Sequence, residues 1–395
     1  MDSFIFVENV VLRGNSIIFR EPLLKEAVRC RILVHLNTDA FFQIVGKKEG
    51  GNVGFSEKYL KLKGNTVAYW VTQGVNERNK LNHPLREFEC MKVNLKPNNV
   101  SSLTKVLAVA TQNQFAVGSF TPRATKMVAP ILRAAQEKKS AVIVQTSERE
   151  QERYGINLAE FSREFYRVIQ EENITIPAVL HLDHTKDFNV IAKAIEVGFT
   201  SVMIDASEQP FKKNIEITKK VVEYAHSKGV TVEAELGKIG TTDFIETDVD
   251  EELFTEPEEA KQFVEETCID ALAVSVGTSH GVYLVKDPKI DIERLMEIRA
   301  LTSVPLVLHG GSGTPSEMIK NAIQIPNGGI SKVNIATDLE HMMIKTLNRE
   351  IHVTEKEWSE LPIETLTLVQ NAVQNVVKEK IENFLISSDS ASYYV

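Results

Sequence analysis

Three histidines end three short apolar runs of this 395-residue chain: His184 in LHLDH, His280 in GTSHG and His309 in LVLHGGSG. Each run reads as a buried parallel strand that stops beside glycine or an acid. Three imidazoles converging from separate strand ends can hold a metal and leave coordination positions open. That is the pattern of a catalytic Zn²⁺ site rather than a closed structural one. The competing interpretation is that buried histidines at strand ends only satisfy hydrogen bonds.

The elements that must position these residues recur with one pattern from about residue 114 onward, a short strand rich in branched residues and then an amphipathic helical stretch. The spacing predicts strands over 114–120, 140–146, 178–184, 201–207, 231–237, 271–277, 305–311 and 331–337. Between them lie stretches such as 214–229, with Ile215, Ile217, Val221, Val222 and Ala225 at helical spacing and Gly229 as a stop. The stretch 257–270 opens with Pro257 and acids, as a helix start prefers. Eight strands alternating with helices predict an α/β fold, a TIM (β/α)8 barrel, with a doubly wound open sheet as the alternative. Nearly every strand ends on polar residues, among them Ser119, Ser147, Asp183, Asp205, Glu235, His309 and Asn334. In a TIM barrel that rim carries the active site. Gly310 to Gly313 (GGSG) follow the seventh strand and precede a helix opening at Pro315, while Asn334 to Thr337 (NIAT) follow the eighth. Glycines let backbone N–H groups approach an anion, so these two loops are candidates for a phosphate.

Composition bounds what the chain can be. Hydrophobic content of 43% and charged content of 25% suit a globular protein. A net charge of -9 argues against nucleic acid as a partner, so a phosphorylated substrate needs a locally positive site. Cys30, Cys90 and Cys268 are too few and too scattered for a disulfide framework or a four-cysteine zinc site. The start, MDSFIFVENV, has no signal-peptide pattern, and no apolar run reaches membrane-spanning length, so a cytoplasmic protein without membrane contact is expected. Residues 1–100 read as a separate, small β-rich or α+β accessory module. Its His35 and His83 lack companions at ligand spacing, and 95–102 is the expected linker. Residues 101–395 hold the barrel and helices near the C-terminus, with SSDSASYYV expected to be a loose tail.

The strings HLDH, SVMIDAS, VEAELG, GTSHG, LVLHGGSG and KVNIATD, in order over roughly residues 101–385, resemble the class II, metal-dependent ketose-bisphosphate aldolases, and within them the tagatose- and fructose-bisphosphate branch. The resemblance implies reversible cleavage of a phosphorylated ketose to dihydroxyacetone phosphate and an aldehyde such as glyceraldehyde 3-phosphate. It implies one catalytic Zn²⁺ per subunit on His184, His280 and His309, leaves open a monovalent cation, and suggests a homodimer or homotetramer. Asp183 takes the proton-transfer position. Neighbours on a strand face opposite ways, so Asp183 and His184 share one site only where the strand ends and the backbone turns. Thr185, Lys186 and Asp187 read as that loop, and His181 reads as a packed neighbour below Asp183 rather than a ligand. Asp205 and Glu235 fall where the family places acids that orient ligands or hold metal in an alternative position, with Glu233 as a lower-layer partner. Gly281, Gly310, Gly311, Ser312, Asn334, Ile335, Ala336 and Thr337 are the implied phosphate site. Lys332 reads as a phosphate neighbour or a barrel-wall residue.

Two departures bear on the expectation. The loop after the fifth strand reads GKIGTTDFIETD, with Thr241 and Thr242 where the family has glycine and an acid, and Asp243 at the general-base position. After the first strand the chain reads SFTPRA, with Thr121, Pro122 and Arg123 in place of an Ala-Phe-Asn string. That region and QTSERE, with Ser147 and Arg149, face the aldehyde half of the substrate. Two further functions stay open: an aldolase for a different phosphorylated ketose, and a sugar-phosphate-binding regulator on the same barrel.

Overall fold

The computed structural model describes residues 97–237, 254–278 and 289–394, together with the backbone of short strands elsewhere. The chain divides into two units, Met1–Lys96 and Pro97–Val395. In the first, short strands such as Val10–Arg13 and Ser16–Phe19 pair antiparallel. In the second, a closed barrel of eight parallel strands runs in chain order: β1 Val117–Phe120, β2 Val142–Ser147, β3 Ala178–Thr185, β4 Ser201–Ile204, β5 Thr231–Leu236, β6 Ala271–Val274, β7 Leu306–Leu308 and β8 Ile330–Ile335. Closure is direct, with β1 pairing β8 from Val117–Lys332 to Phe120–Ile335.

The strands read as continuous apolar runs because both of their faces are buried. Outward residues such as Val144, Leu180, Val202, Val232, Leu272 and Val333 pack against the surrounding helices in one large core. Inward residues grade along the barrel axis. Val117, Ile143, Val179, Met203 and Val307 form an apolar floor, and above them lie Gln145, His181, Glu233 and Lys332, all fully buried. The floor is closed by the helix Leu103–Asn113, whose buried stripe is Leu103, Val106, Leu107 and Ala110. Each fully buried leucine or valine there contributes about 1.5–3 kcal/mol.

The expected linker is already part of this floor from Pro97 onward. Asn99 Nδ2 donates to the carbonyls of Ile174 (3.0 Å) and Ile176 (2.9 Å), and the Ser101 N–H donates to that of Ala178. The C-terminal stretch differs from expectation too. Ser390–Tyr394 forms a 3₁₀ turn, with the Tyr394 hydroxyl donating to the Val106 carbonyl at 3.0 Å and its ring edge-on to Phe115. The Asp389 and Ala391 N–H groups also donate to the carbonyls of Lys138 and Lys139, both at 2.8 Å, so backbone and aromatic contacts together hold this segment down.

Candidate active site

Asp183 and His184 are consecutive, yet both face the rim. Contrary to the expectation that the strand ends there with Thr185 in a loop, it continues through Thr185 and bulges. Leu182 pairs with Val202 and Thr185 with Ile204, so β3 carries one extra residue against β4, and His184 sits at φ 25. A bulge re-aims a side chain without ending the ladder.

The two imidazoles of His184 and His309 stand 4.4 Å apart between ring centroids. Each is held by carboxylates from other strands of the barrel. His184 Nδ1 is 3.0 Å from Asp205 Oδ2 and 3.8 Å from Glu235 Oε2. His309 Nε2 is 3.0 Å from Glu233 Oε1, and its Nδ1 is 3.3 Å from Glu235 Oε2. A carboxylate on one ring nitrogen fixes the tautomer and directs the other nitrogen elsewhere, which is how metal-binding histidines are usually supported. One donor atom from each of Asp183, His184 and His309 lies within 4.8 Å of the others, and so do donors from His184, Asp205 and Glu235.

A second layer lies beneath. Lys332 Nζ donates to both oxygens of Glu233, at 2.7 and 3.0 Å, and is 3.7 Å from Asp183 Oδ1. His181 Nδ1 meets Ser201 Oγ at 2.9 Å, and its Nε2 lies 3.6 Å from Glu233. Asp183 accepts from Asn334 Nδ2 at 3.1 Å on each oxygen and from Gln145 Nε2 at 3.1 Å. Gln145 also donates to Thr121 and accepts from Ser119.

Electrostatics follow from these contacts. Burial opposes charge on His184, but the Asp183 charge, the hydrogen bond that His184 donates to Asp205 and the Glu235 charge outweigh it and raise the imidazole to about 10. Burial likewise opposes charge on Asp183, yet His184 and Lys332 hold it well below the usual carboxylate range. Against its own burial, Glu233 is drawn down to about 2 by Lys332 and His309. His181 is pushed down to about 3 by burial and by Lys332, so it is neutral. A pocket that pulls a proton this strongly onto a histidine favours a cation, and nitrogen and oxygen donors fit a divalent one such as zinc.

The remaining expected residues divide into several groups. His280 lies on the two-residue strand Ser279–His280, parallel to Gly240–Thr241, and its side chain is outside the described residues. Thr278, two residues earlier, donates to the His309 carbonyl at 2.9 Å, which anchors that segment to β7. Asp243 and Gly281 lie outside the described residues. At the phosphate loops, Ser312 Oγ accepts from the N–H groups of Ala336 (3.3 Å) and Asp338 (3.2 Å) and so ties the two loops together. The Gly311 N–H donates to the Asn334 carbonyl at 3.1 Å, and a Cβ on Gly311 would come within 2.4 Å of Val333. Ile335 ends β8 and Thr337 opens the helix Thr337–Thr346. The Asn334 side chain is on Asp183, not on the loop. Lys332 lies inside the barrel, paired with Glu233, rather than beside the phosphate loops. Ser147 is buried at the end of β2, and Arg149 is exposed on the next helix.

Sequence reasoning missed Gln145 and the Lys332–Glu233 pair. A signal existed for each, namely a polar residue at the inward parity of an otherwise apolar run.

A closed parallel barrel with buried imidazoles and carboxylates at its C-terminal rim defines a TIM-barrel protein with a candidate metal centre. Comparison with known proteins narrows this. Residues 101–389 match the family of class II fructose-bisphosphate aldolases. The fructose-bisphosphate aldolase of Staphylococcus epidermidis is 39% identical over 292 residues, which is 72% of this chain and 96% of the relative. That of Helicobacter pylori is 38% identical over 299 residues, covering 70% and 95%. Among solved structures, the YdjI aldolase of Escherichia coli K12 superposes with a TM-score of 0.61 at 31% identity, covering 74% of this chain and 99% of that one. A putative fructose-1,6-bisphosphate aldolase of Coccidioides immitis gives a TM-score of 0.63 at 28% identity, covering 76% and 100%. The chain belongs to the class II fructose-bisphosphate aldolase family. Among the described residues, no helix is long and apolar enough to cross a membrane.

Proposed function

We propose that this protein reversibly cleaves a phosphorylated ketose of the fructose- or tagatose-1,6-bisphosphate type to dihydroxyacetone phosphate and an aldehyde. The observation that carries this is the Asp183 carboxylate, fixed by Asn334 and Gln145 beside the His184–His309 pair. Asp183 takes the proton of the C4 hydroxyl; the C3–C4 bond breaks as the C4 carbonyl forms, and the electron pair stays on C3. His184, His280 and His309 would hold one Zn²⁺ per subunit, with Asp205, Glu233 and Glu235 orienting the rings. When bound, the ion supplies Lewis-acid stabilisation to the charge developing next to the ketone. Asp243 returns a proton to C3, completing the balance. The loops joined by Ser312 bind the phosphate of the dihydroxyacetone half through backbone N–H groups. A homodimer or homotetramer and an accessory role for residues 1–100 belong to the same proposal.

The test is retro-aldol cleavage by metal-stripped protein before and after Zn²⁺ is restored, with bound metal measured directly. Turnover is expected only with metal. His280→Ala is expected to lose the ion, and Asp183→Ala to keep it without turnover. A zinc-loaded protein that binds the ketose bisphosphate and never cleaves it would overturn the proposal.

A further inference from the structure

The hydrogen bonds that hold Asp183 reach one residue beyond its own contacts. On β1, Val117 and Ser119 share the inward parity and Thr121 follows it, while Phe120 turns outward into the shell of helices. Val117 belongs to the apolar floor, and packing alone does not call for a hydroxyl above it. Ser119 is fully buried and is the register partner of Asn334 on β8, so it stands level with a residue that holds Asp183. Its hydroxyl donates to Gln145 Oε1.

A carboxylate only accepts hydrogen bonds, so the end of the Gln145 amide that faces Asp183 must be its NH₂. Nε2 donates to Asp183 Oδ2 at 3.1 Å and to Thr121 Oγ1 at 2.9 Å. Oε1 is thereby turned to Ser119. The last torsion of a glutamine is broad, so partners at both ends set the amide's orientation. A buried carbonyl oxygen deprived of its donor is costly, and the amide would turn to find another, taking Nε2 off Asp183. Asn334 does not make good that loss. It donates from one nitrogen to both Asp183 oxygens at 3.1 Å, which centres the carboxylate but lets it rock. Gln145 bonds Oδ2 alone and fixes the rotation.

We propose that Ser119 is a positioning residue for the cleavage, holding the Asp183 carboxylate, through Gln145, at the angle from which it takes the substrate proton. Ser119 does not act on the substrate itself, because its hydroxyl proton is committed to Oε1. Reaction rates fall steeply when reacting groups lose alignment, so a rocking Asp183 lowers turnover and leaves the binding of ketose and metal nearly as they were. This rests on the aldolase proposal above and extends its machinery by one residue.

The experiment is a double-mutant cycle on the zinc-loaded full chain cleaving fructose 1,6-bisphosphate. Ser119→Ala is expected to lower kcat about tenfold, with KM and bound zinc within about twofold of wild type. Gln145→Met is expected to lower kcat at least as much. Adding Ser119→Ala to Gln145→Met is expected to cost no more than about a further twofold, because the hydroxyl then has no amide to hold. A residue that only packs would cost the same factor in both backgrounds, and that result overturns the proposal. So does an unchanged kcat in Ser119→Ala, or a loss that appears in KM alone. Should Ser119→Ala fail to fold, a Gln145→Met enzyme with kcat within about twofold of wild type overturns it as well. Failure of the zinc-loaded wild type to cleave any ketose phosphate sinks the aldolase proposal itself, and this one with it.

Discussion

The two ends of the barrel are made by the same eight strands and by opposite means. At the floor, Val117, Ile143, Val179, Met203 and Val307 meet the apolar stripe of the helix Leu103–Asn113, and the layer they form is apolar and uncharged. A few residues further along the same strands, Asp183, Glu233, Glu235, Lys332 and two histidines fill the interior, each buried and each with a charged or polar partner. Buried ion pairs are weak contributors to stability, because desolvation offsets their attraction. Apolar burial has no such penalty. The floor can therefore carry the stability that lets the rim be spent on charge placement, and the two should respond differently to substitution.

The largest effect is expected at the rim. Asp183→Asn keeps the size of the side chain but removes the proton acceptor, and should lower kcat by about 10²–10⁴-fold. Its zinc content should stay near wild type. A variant with nearly full activity would remove Asp183 from the proton-transfer role and break the comparison at its strongest point.

Lys332→Met tests the layer between the two ends. It leaves Glu233 buried without its ammonium partner, so about 3–5 kcal/mol of stability should be lost in denaturant titration. Glu233 also orients His309, so zinc affinity by chelator competition should fall about 10–100-fold. Loss of stability with unchanged zinc affinity would assign the pair to the floor's role rather than the rim's.

Leu107→Ala acts on the floor alone. A destabilisation of about 2–5 kcal/mol is expected, with kcat unchanged at temperatures where the variant stays folded. A parallel fall in kcat would mean that the two ends are mechanically coupled.

Much of this division is legible in the sequence. All eight strands are visible because branched apolar residues alternate with helical spacing at regular intervals, and the rim is visible as polar residues ending those runs. His184, Asp183, Asp205, Glu235 and His309 converge as the spacing suggests. The exceptions have physical reasons. Lys332 reads as a wall residue because lysine is almost never fully buried unless paired, and its partner Glu233 lies 99 residues away. Asn334 falls with the phosphate loop by its neighbours in sequence, while its side chain points along the inward parity to Asp183. Tyr394 reads as part of the polar string before it, although its ring and hydroxyl pack against Phe115 and the Val106 carbonyl.

The extra residue in β3 has a consequence for how this site can change over generations. Because Asp183 and His184 face the same way only through that bulge, and are themselves the two residues between Leu182 and Thr185, a one-residue deletion there would restore a regular ladder and remove one of the pair outright. Substitutions can be tried one at a time at such a place, and many reverted. A change in length cannot be compensated by any single replacement nearby. Here the chain's spacing, more than its alphabet, stores the chemistry, and insertions or deletions in this strand should be the rarest variation that a functional lineage tolerates.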